Sequence, residues 1–190
     1  MYLEQLHIQG FKSFAQASRL DFLGPQKKTK GITTIVGPNG SGKSNVADSI
    51  RWVLGEQSMK LLRGKKSEDV IFAGSDKKAR SGFAEVTMRL LNEERSAELD
   101  YPEVEITRRL YRDGESEYLL NKNKVRLQDI QLILAKANFG ERHYAVIGQG
   151  MIDSLLALSA EERRDFFDEA SGVKPLQFKK QQSIQKLALA

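Results

Sequence analysis

Residues 32–54 read ITTIVGPNGSGKSNVADSIRWVL, and this stretch decides the fold. Residues 32–36 are β-branched and apolar, which predicts a buried strand. Residues 37–44 match the pattern G-x-x-x-x-G-K-[ST], and the apolar spacing of residues 45–54 predicts a helix with one apolar side. A strand, a glycine-rich loop and a helix in this order form the context in which the pattern is typical of a phosphate-binding loop.

The residue types of this loop suit a triphosphate. Gly37, Gly40 and Gly42 would let backbone N–H groups approach phosphate oxygens. The start of the helix adds free N–H groups and the positive end of its dipole. Lys43 would supply a mobile positive charge to the β- and γ-phosphates, and the Ser44 hydroxyl would be a ligand of Mg²⁺. The sequence therefore predicts that the chain binds ATP together with Mg²⁺.

Length and composition limit the class of protein. The chain has 190 residues, of which 40% are hydrophobic, so it can form one domain, or one and a fraction, with a real core. No apolar run approaches the 18 residues of a transmembrane helix, and the first residues lack the pattern of a signal peptide. The absence of cysteine excludes disulfides and thiolate metal sites. These features predict a cytoplasmic protein without a membrane partner.

The positive charge is concentrated in the first part of the chain. The net charge is +5 in total, with +7 in residues 1–80 and −2 in residues 81–190. A basic segment beside a nucleotide-binding loop indicates a polyanionic partner. An ordinary solvated surface is the alternative that charge alone leaves open.

The remaining periodicities predict an antiparallel layer beside the phosphate-loop unit. The Asp113-Gly114 pair predicts a hairpin turn, and a turn at residues 11–14 is expected to expose two aromatic side chains. Ser159 and Glu162 match a helix capping box. The predicted strands are residues 2–9, 19–22, 83–91, 104–111, 117–120 and 144–147, with a short buried element at 69–72, and the predicted helices are 127–137, 159–171 and the segment from Pro175 onward.

Further segments surround the phosphate loop in a characteristic order. They are GFKSF at 10–14, RWVLGEQS at 51–58, LRG at 62–64 with VIFAGS at 70–75, YRDGESEY at 111–118 and IGQG at 147–150. With these segments the chain resembles, over nearly its whole length, the N-terminal head segment of an SMC (structural maintenance of chromosomes) protein of the bacterial condensin type. The resemblance implies an α/β fold, the N-terminal lobe of an ABC-type P-loop ATPase. This lobe has a mixed sheet with an antiparallel β layer around the phosphate-loop helix. Residues 1–158 would form this half of the head, and residues 159–190 a capped helix and the start of a coiled coil.

The resemblance also implies roles for matching positions. Lys12 and Ser13 would approach the nucleotide from the side, and Arg63 would act as the family's R-loop arginine near the phosphates, a residue linked to DNA sensing. Gln149 would be the Q-loop glutamine and, with Ser44, a ligand of Mg²⁺. A surface arginine and a buried structural amide remain the alternatives for Arg63 and Gln149. The expected ATP-binding residues are Lys12, Ser13, Gly37, Pro38, Asn39, Gly40, Ser41, Gly42, Lys43, Ser44, Asn45, Arg63 and Gln149.

DNA contact is a further implication of the resemblance. It would be sequence-independent and salt-sensitive, because it would be made to backbone phosphates. For each single side chain a solvated surface role remains open. The candidates are Lys60, Lys65, Lys66, Lys122, Lys124 and Arg126.

Two motifs of a complete ATPase of this kind are missing from the sequence. No apolar strand ends in Asp followed by Glu, and no Leu-Ser-Gly-Gly signature is present. In SMC proteins both lie in a C-terminal head segment that returns after a coiled coil and a hinge. We therefore expect the full-length protein to be an ATPase and this chain alone to be nearly inactive, with Lys43 and Gln149 as its contributions to catalysis.

The resemblance implies a function in chromosome condensation and segregation, through ATP-dependent engagement of two heads and DNA binding at the nucleoid. The implied partners are the C-terminal head segment, a second SMC head in a homodimer, DNA and a kleisin-type accessory subunit. One alternative is a DNA repair ATPase of the RecF or RecN type, which shares the GFKSF-like start. Another is a module that binds DNA or a protein partner without turning over ATP.

Overall fold

The computed structural model describes residues 1–24, 31–92 and 101–136, together with a few residues after 155. Several predictions fall outside this part of the chain. They are the Gln149 loop and the strand at 144–147, together with most of the helix after Ser159 and of the helix from Pro175, of which Arg164, Lys180, Ser183, Ile184 and Leu187 are described and are helical. The boundary at residues 158 and 159 is likewise a prediction without a structural test.

A single antiparallel sheet forms the body of the described chain, with strand order β2-β1-β3-β4-β5-β6. The phosphate-loop helix α1 contacts β3 and β4. The strands are β1 Tyr2–Gln9, β2 Ser18–Asp21, β3 Phe83–Leu91, β4 Glu103–Tyr111, β5 Ser116–Leu120 and β6 Asn123–Val125, and the helices are α1 Lys43–Val53, a short 3₁₀ turn at Ser67–Val70, and α2 Leu127–Lys136.

The core lies on the sheet face that α1 and α2 cover. Alternation in β3 directs Ala84, Val86, Met88 and Leu90 to this face, where all four are fully buried. Trp52 of α1 joins the same hydrophobic cluster, as do Ile130 and Leu134 of α2. The predicted strands at 2–9 and 83–91 are confirmed with the same bounds.

Two predictions around the phosphate-loop unit were wrong, and one strand of the sheet was missed. Residues 32–36 do not form a strand, and Ile32 and Val36 are each 86% exposed. A β-branched apolar run needs neighbours on its edges and faces, and no strand of the described residues pairs with it. Phe11 is fully buried against Trp52, with ring centroids 5.2 Å apart, because the chain turns inward after Gly10. The short polar strand β6 was not predicted.

Both hairpin turns between β4 and β6 contain residues in the left-handed backbone conformation. The Asp113-Gly114 turn joins β4 to β5 as predicted, with Gly114 at φ 91°. Asn121 and Lys122 join β5 to β6 with φ of 47° and 69°, so both central residues are left-handed, as in a type I′ turn. Among the described residues, no helix has the length and apolar character that crossing a bilayer requires.

Arg108 fixes the carboxyl end of α1 to the sheet. Its Nη1 donates to the carbonyl oxygens of Trp52 at 2.9 Å and Glu56 at 2.8 Å. The guanidinium lies between two rings, 4.7 Å from the Trp52 centroid and 5.0 Å from that of Tyr118. Burial lowers the pKa of Arg108 and raises that of Tyr118. A cation at a helix C-terminus is favoured by the helix dipole, so this contact stabilises the helix that carries the phosphate loop.

We expect Arg108→Ala to lower the free energy of unfolding by about 3 kcal/mol, because two carbonyls lose a charged donor and two rings lose a stacked cation. Arg19→Ala is the matched control. Arg19 is exposed and ion-paired to Asp21, and its loss should cost less than about 0.5 kcal/mol. Urea denaturation of the two variants measures both values, and equal losses would contradict the role assigned to Arg108.

Candidate nucleotide-binding site

The N-terminus of α1 is prepared for an anion. Gly42 precedes the helix with φ 91° and ψ 4°, no side chain caps the helix there, and its first turn contains no acidic residue. The first N–H groups of a helix have no intrahelical acceptor and form the positive end of the dipole. The left-handed φ favours glycine at this position, and a Cβ there would displace Ser13 Oγ, which would lie 2.9 Å away.

Lys43 lies over the glycine-rich loop. Its Nζ donates to the carbonyl oxygens of Gly37 and Pro38, each at 2.7 Å. The loop turns back on itself through the bond from Ser41 N to Pro38 O at 3.3 Å. The predicted phosphate-binding residues therefore form one compact loop, with the ammonium group at its centre and the exposed Ser44 at the start of α1.

Three of the predicted residues from separate segments contact one another beside this loop. Asn45 Nδ2 donates to Ser13 Oγ at 2.8 Å, and Arg63 Nη2 donates to Asn45 Oδ1 at 3.0 Å. The turn at residues 11–14 and the loop after α1 thus meet on the first turn of the helix. This arrangement brings Ser13, Asn45 and Arg63 together, while their contact with a nucleotide remains a prediction.

Asp48 joins the two loops and was not predicted from the sequence. It is 4% exposed. Its Oδ2 accepts hydrogen bonds from Arg63 Nη2 at 2.5 Å and Arg63 Nε at 3.1 Å, and it also pairs with Lys12 Nζ. Lys12 Nζ donates in addition to the Leu62 carbonyl oxygen. The available sequence signal was the position of Asp48, four residues before Trp52 and hence on a buried side of α1.

The two loops that contact Asp48 have an uncommon backbone conformation at the contacting residues. Lys12 has φ 48° and Arg63 has φ 56°, a left-handed conformation that is uncommon for residues other than glycine. Asp69 Oδ2 accepts the N–H groups of Lys65 at 2.7 Å and Lys66 at 2.9 Å, which fixes the loop just after Arg63. The N–H groups of Lys66 and Lys65 lower the pKa of Asp69.

The candidate DNA-binding side chains form two groups. Lys60, Lys65 and Lys66 are exposed in the loop after α1. Lys122, Lys124 and Arg126 are exposed at the β5–β6 turn, in β6 and directly after β6. Lys124 differs from the others because its Nζ pairs with Glu117 at 2.9 Å and with Glu115 at 3.7 Å. Its hydrogen bond to Glu117 raises the pKa of Lys124.

Within residues 1–24, 31–92 and 101–136, no group of three or more His, Asp or Glu side chains could hold a metal ion by itself. Such a group is not needed for Mg²⁺ bound to a triphosphate, since the phosphate oxygens and water supply most of its ligands. Ser44 is the described residue that suits this ion. Gln149 lies outside the described residues, so its role stays a prediction.

Comparison with known proteins identifies the family. The family model described as RecF/RecN/SMC N terminal domain matches residues 2–160. The chain is 47% identical over 187 residues to the chromosome partition protein Smc of Bacillus subtilis, and the match covers 98% of this chain and 15% of that relative. The chain therefore spans about a seventh of the length of such relatives.

Solved structures give the same result. A chain from a study of ATP-driven dimerization and DNA-stimulated activation of SMC ATPases has a TM-score of 0.78 and 38% identity, with coverage of 90% of this chain and 99% of that one. An Smc head domain with an extended coiled coil, bound to the C-terminal domain of ScpA and derived from Pyrococcus furiosus, has a TM-score of 0.83 and 37% identity, with coverage of 99% and 46%. These matches confirm the predicted fold class.

A structure of the recombination mediator RecF shares only the fold. Its TM-score is 0.60 at 21% identity, over 98% of this chain and 43% of that one. The sequence identity to the SMC-type matches is much higher, which favours the SMC interpretation over the RecF or RecN alternative. The chain belongs to the RecF/RecN/SMC N-terminal domain family and is an N-terminal head segment of the SMC type.

Proposed function

We propose that the chain is the ATP-binding half of an SMC head in a chromosome-partitioning ATPase. ATP joins two heads, and hydrolysis releases them. The observation that carries this proposal is the uncapped, acid-free N-terminus of α1, with Lys43 placed over the loop that precedes it. Family membership supports the same function, because the relatives with about 46% identity over nearly the whole chain are chromosome partition proteins.

The residues of this chain have different proposed roles at the site. Residues 37–45 hold the phosphates through N–H groups and the Lys43 ammonium. Ser44 and Gln149 hold Mg²⁺, which neutralises charge on the phosphates when bound. Asn45 keeps Ser13 and Arg63 beside the loop. A C-terminal head segment supplies the second metal carboxylate and the group that polarises water, and a second head supplies the signature motif.

The proposed partners follow from the same scheme. They are the C-terminal head segment, a second copy of the head, DNA and a kleisin-type subunit, and the protein acts in the cytoplasm at the nucleoid. An SMC head bound to the C-winged helix domain of ScpA, at 38% identity to this chain, supports the kleisin proposal. Sedimentation of the complete head, this chain together with the C-terminal head segment, with and without MgATP tests head engagement. ATP should shift hydrolysis-deficient heads to a dimer, and a shift that persists in Lys43→Ala would contradict the proposal.

The ion pairs of the β5–β6 turn allow a matched test of DNA contact. Among the described residues Lys122 forms no ion pair, whereas Lys124 is paired with Glu117 and Glu115. Each phosphate contact that is lost reduces the slope of log K against log salt by about 0.9 for duplex DNA. We expect this reduction in Lys122→Ala and a smaller one in Lys124→Ala, measured by fluorescence anisotropy at several salt concentrations. A larger effect at Lys124 would contradict the prediction.

A further inference from the structure

Asp48, Lys12 and Arg63 form a cluster of charges on the flank of α1. Stabilisation of the fold does not by itself explain this cluster. Asp48 Oδ2 receives Lys12 and two nitrogens of Arg63 at a single buried oxygen. One cation suffices to neutralise a buried carboxylate. The second is brought by a residue at φ 56°, a conformation that costs free energy for a side chain larger than glycine. The arrangement therefore has more positive charge than the carboxylate requires.

The excess of positive charge lies near the N-terminus of α1. Asn45 and Asp48 lie on one side of α1, about 3 and 7.5 Å along the axis from Lys43, given the rise of 1.5 Å per residue. Lys43 and Arg63 thus lie at the first turn of α1, where cations are disfavoured by the dipole, and Lys12 lies at the second turn. Asp48 is the only acidic side chain that any of the three contacts within the described residues. A net positive cluster at this end is suited to an anion of several charges.

The hydrogen bonds of Arg63 indicate the role of the Asp48 carboxylate. Its Nε and Nη2 are engaged with Asp48 Oδ2, and Nη2 also donates to Asn45 Oδ1. These bonds fix the plane of the guanidinium. Nη1 donates to no protein acceptor within the described part of the chain, and the side chain is 52% exposed. The Nη1 edge is therefore available to a ligand, in an orientation set by Asp48.

We propose that Asp48 is a positioning residue of the nucleotide site: its buried carboxylate orients the Arg63 guanidinium so that Nη1 of Arg63 binds the phosphates of ATP. This inference rests on the proposed ATP-binding function and adds a residue to it. Asp48 acts through Arg63 and does not itself touch the nucleotide. Asparagine at this position keeps the size of the side chain but removes the charge that fixes the guanidinium.

The test is a double-mutant cycle in the full-length protein, with the dissociation constant of MgATP measured by calorimetry. Asp48→Asn and Arg63→Ala should each weaken binding by about tenfold, the size of one charge-assisted hydrogen bond. The double variant should bind no more weakly than Arg63→Ala, because Asp48 acts only through that arginine. Inorganic tripolyphosphate should lose affinity by the same factor, since the effect is on phosphates.

Several outcomes would overturn the inference. They are unchanged binding in Asp48→Asn, additive losses in the double variant, and tighter binding, which would mean that Asp48 competes with ATP for the arginine. Glu85→Gln is the control, because it removes a carboxylate paired with Arg109 elsewhere on the sheet and should leave the affinity unchanged. If Asp48→Asn fails to fold, Arg63→Lys replaces it. Lysine can pair with Asp48 but lacks the second edge of the fork, so wild-type affinity in Arg63→Lys would also overturn the inference.

A failure of the proposed function is distinguishable in the same experiment. If the wild-type protein does not bind MgATP, or Lys43→Ala binds it equally well, then the site is not an ATP site. If Lys43→Ala weakens binding and Asp48→Asn does not, the ATP site stands and only the role of Asp48 is wrong.

Discussion

Replacing Lys43 with alanine should weaken MgATP binding by about 100-fold, because the ammonium is the charged donor at the centre of the loop and a lost hydrogen bond to a charged group costs about 1.5–3 kcal/mol. Lys43 Nζ lies on the carbonyls of Gly37 and Pro38, and the long side chain can move from these oxygens to phosphate oxygens. Calorimetric titration of the full-length protein with MgATP measures the loss. ATP turnover should fall with it.

Lys77→Ala is the control for this prediction. It removes the same charge from an exposed position in the turn between Ser75 and Lys78, so MgATP affinity should remain at the wild-type value. Alanine is a good residue for the first turn of a helix, and the thermal unfolding midpoint of Lys43→Ala should therefore stay near that of the wild type. Equal affinities in Lys43→Ala and Lys77→Ala would contradict the assigned role of the loop.

Replacing Gly10 with alanine should destabilise the head by about 3 kcal/mol or more, since left-handed strain and a steric clash add together. Gly10 has φ 62°, and a Cβ there would overlap the Phe83 carbonyl oxygen. The backbone must move to relieve that overlap. Gly10 directs Phe11 into the core and Lys12 toward Asp48, so the nucleotide site should be disturbed as well.

Gly114→Ala isolates the conformational part of this effect, so the difference between the two variants gives the steric part. Gly114 has φ 91°, also left-handed, but a Cβ there meets nothing within 4 Å. It should therefore cost only the conformational strain, about 1 kcal/mol. Urea denaturation of both variants measures the difference. Equal free energies of unfolding would show that Gly10 is kept for conformation alone and that the close approach of β3 is unimportant.

Features that depend on neighbours in sequence were predictable. The phosphate loop, the helix after it and the Asp113-Gly114 hairpin follow from local conformational preferences. Strand β3 follows from strict alternation between core and surface. Residues 32–36 were predicted as a buried strand for the same local reason. Burial of a strand depends on neighbours from elsewhere in the chain, and the described residues do not include them.

Features that depend on tertiary contacts were missed. The position of Asp48 four residues before Trp52 indicates a buried side of α1, but its partners could not be predicted, because Lys12 and Arg63 meet it from two separate loops. Arg108 gave a clearer signal, because it follows Val104 and Ile106 on the inward-facing alternation of β4. An arginine at such a position requires acceptors inside the fold, and the end of α1 provides them.

We propose that this chain supplies the triphosphate-binding half of an ATPase and that a C-terminal head segment supplies the rest. The most direct test is the rate of ATP hydrolysis by this chain alone, by the C-terminal head segment alone, and by the two combined. We expect turnover only in the combination, and its loss when the chain carries Lys43→Ala. Turnover by this chain alone at the rate of the combination, or a combination that neither binds nor hydrolyses ATP, would contradict the account.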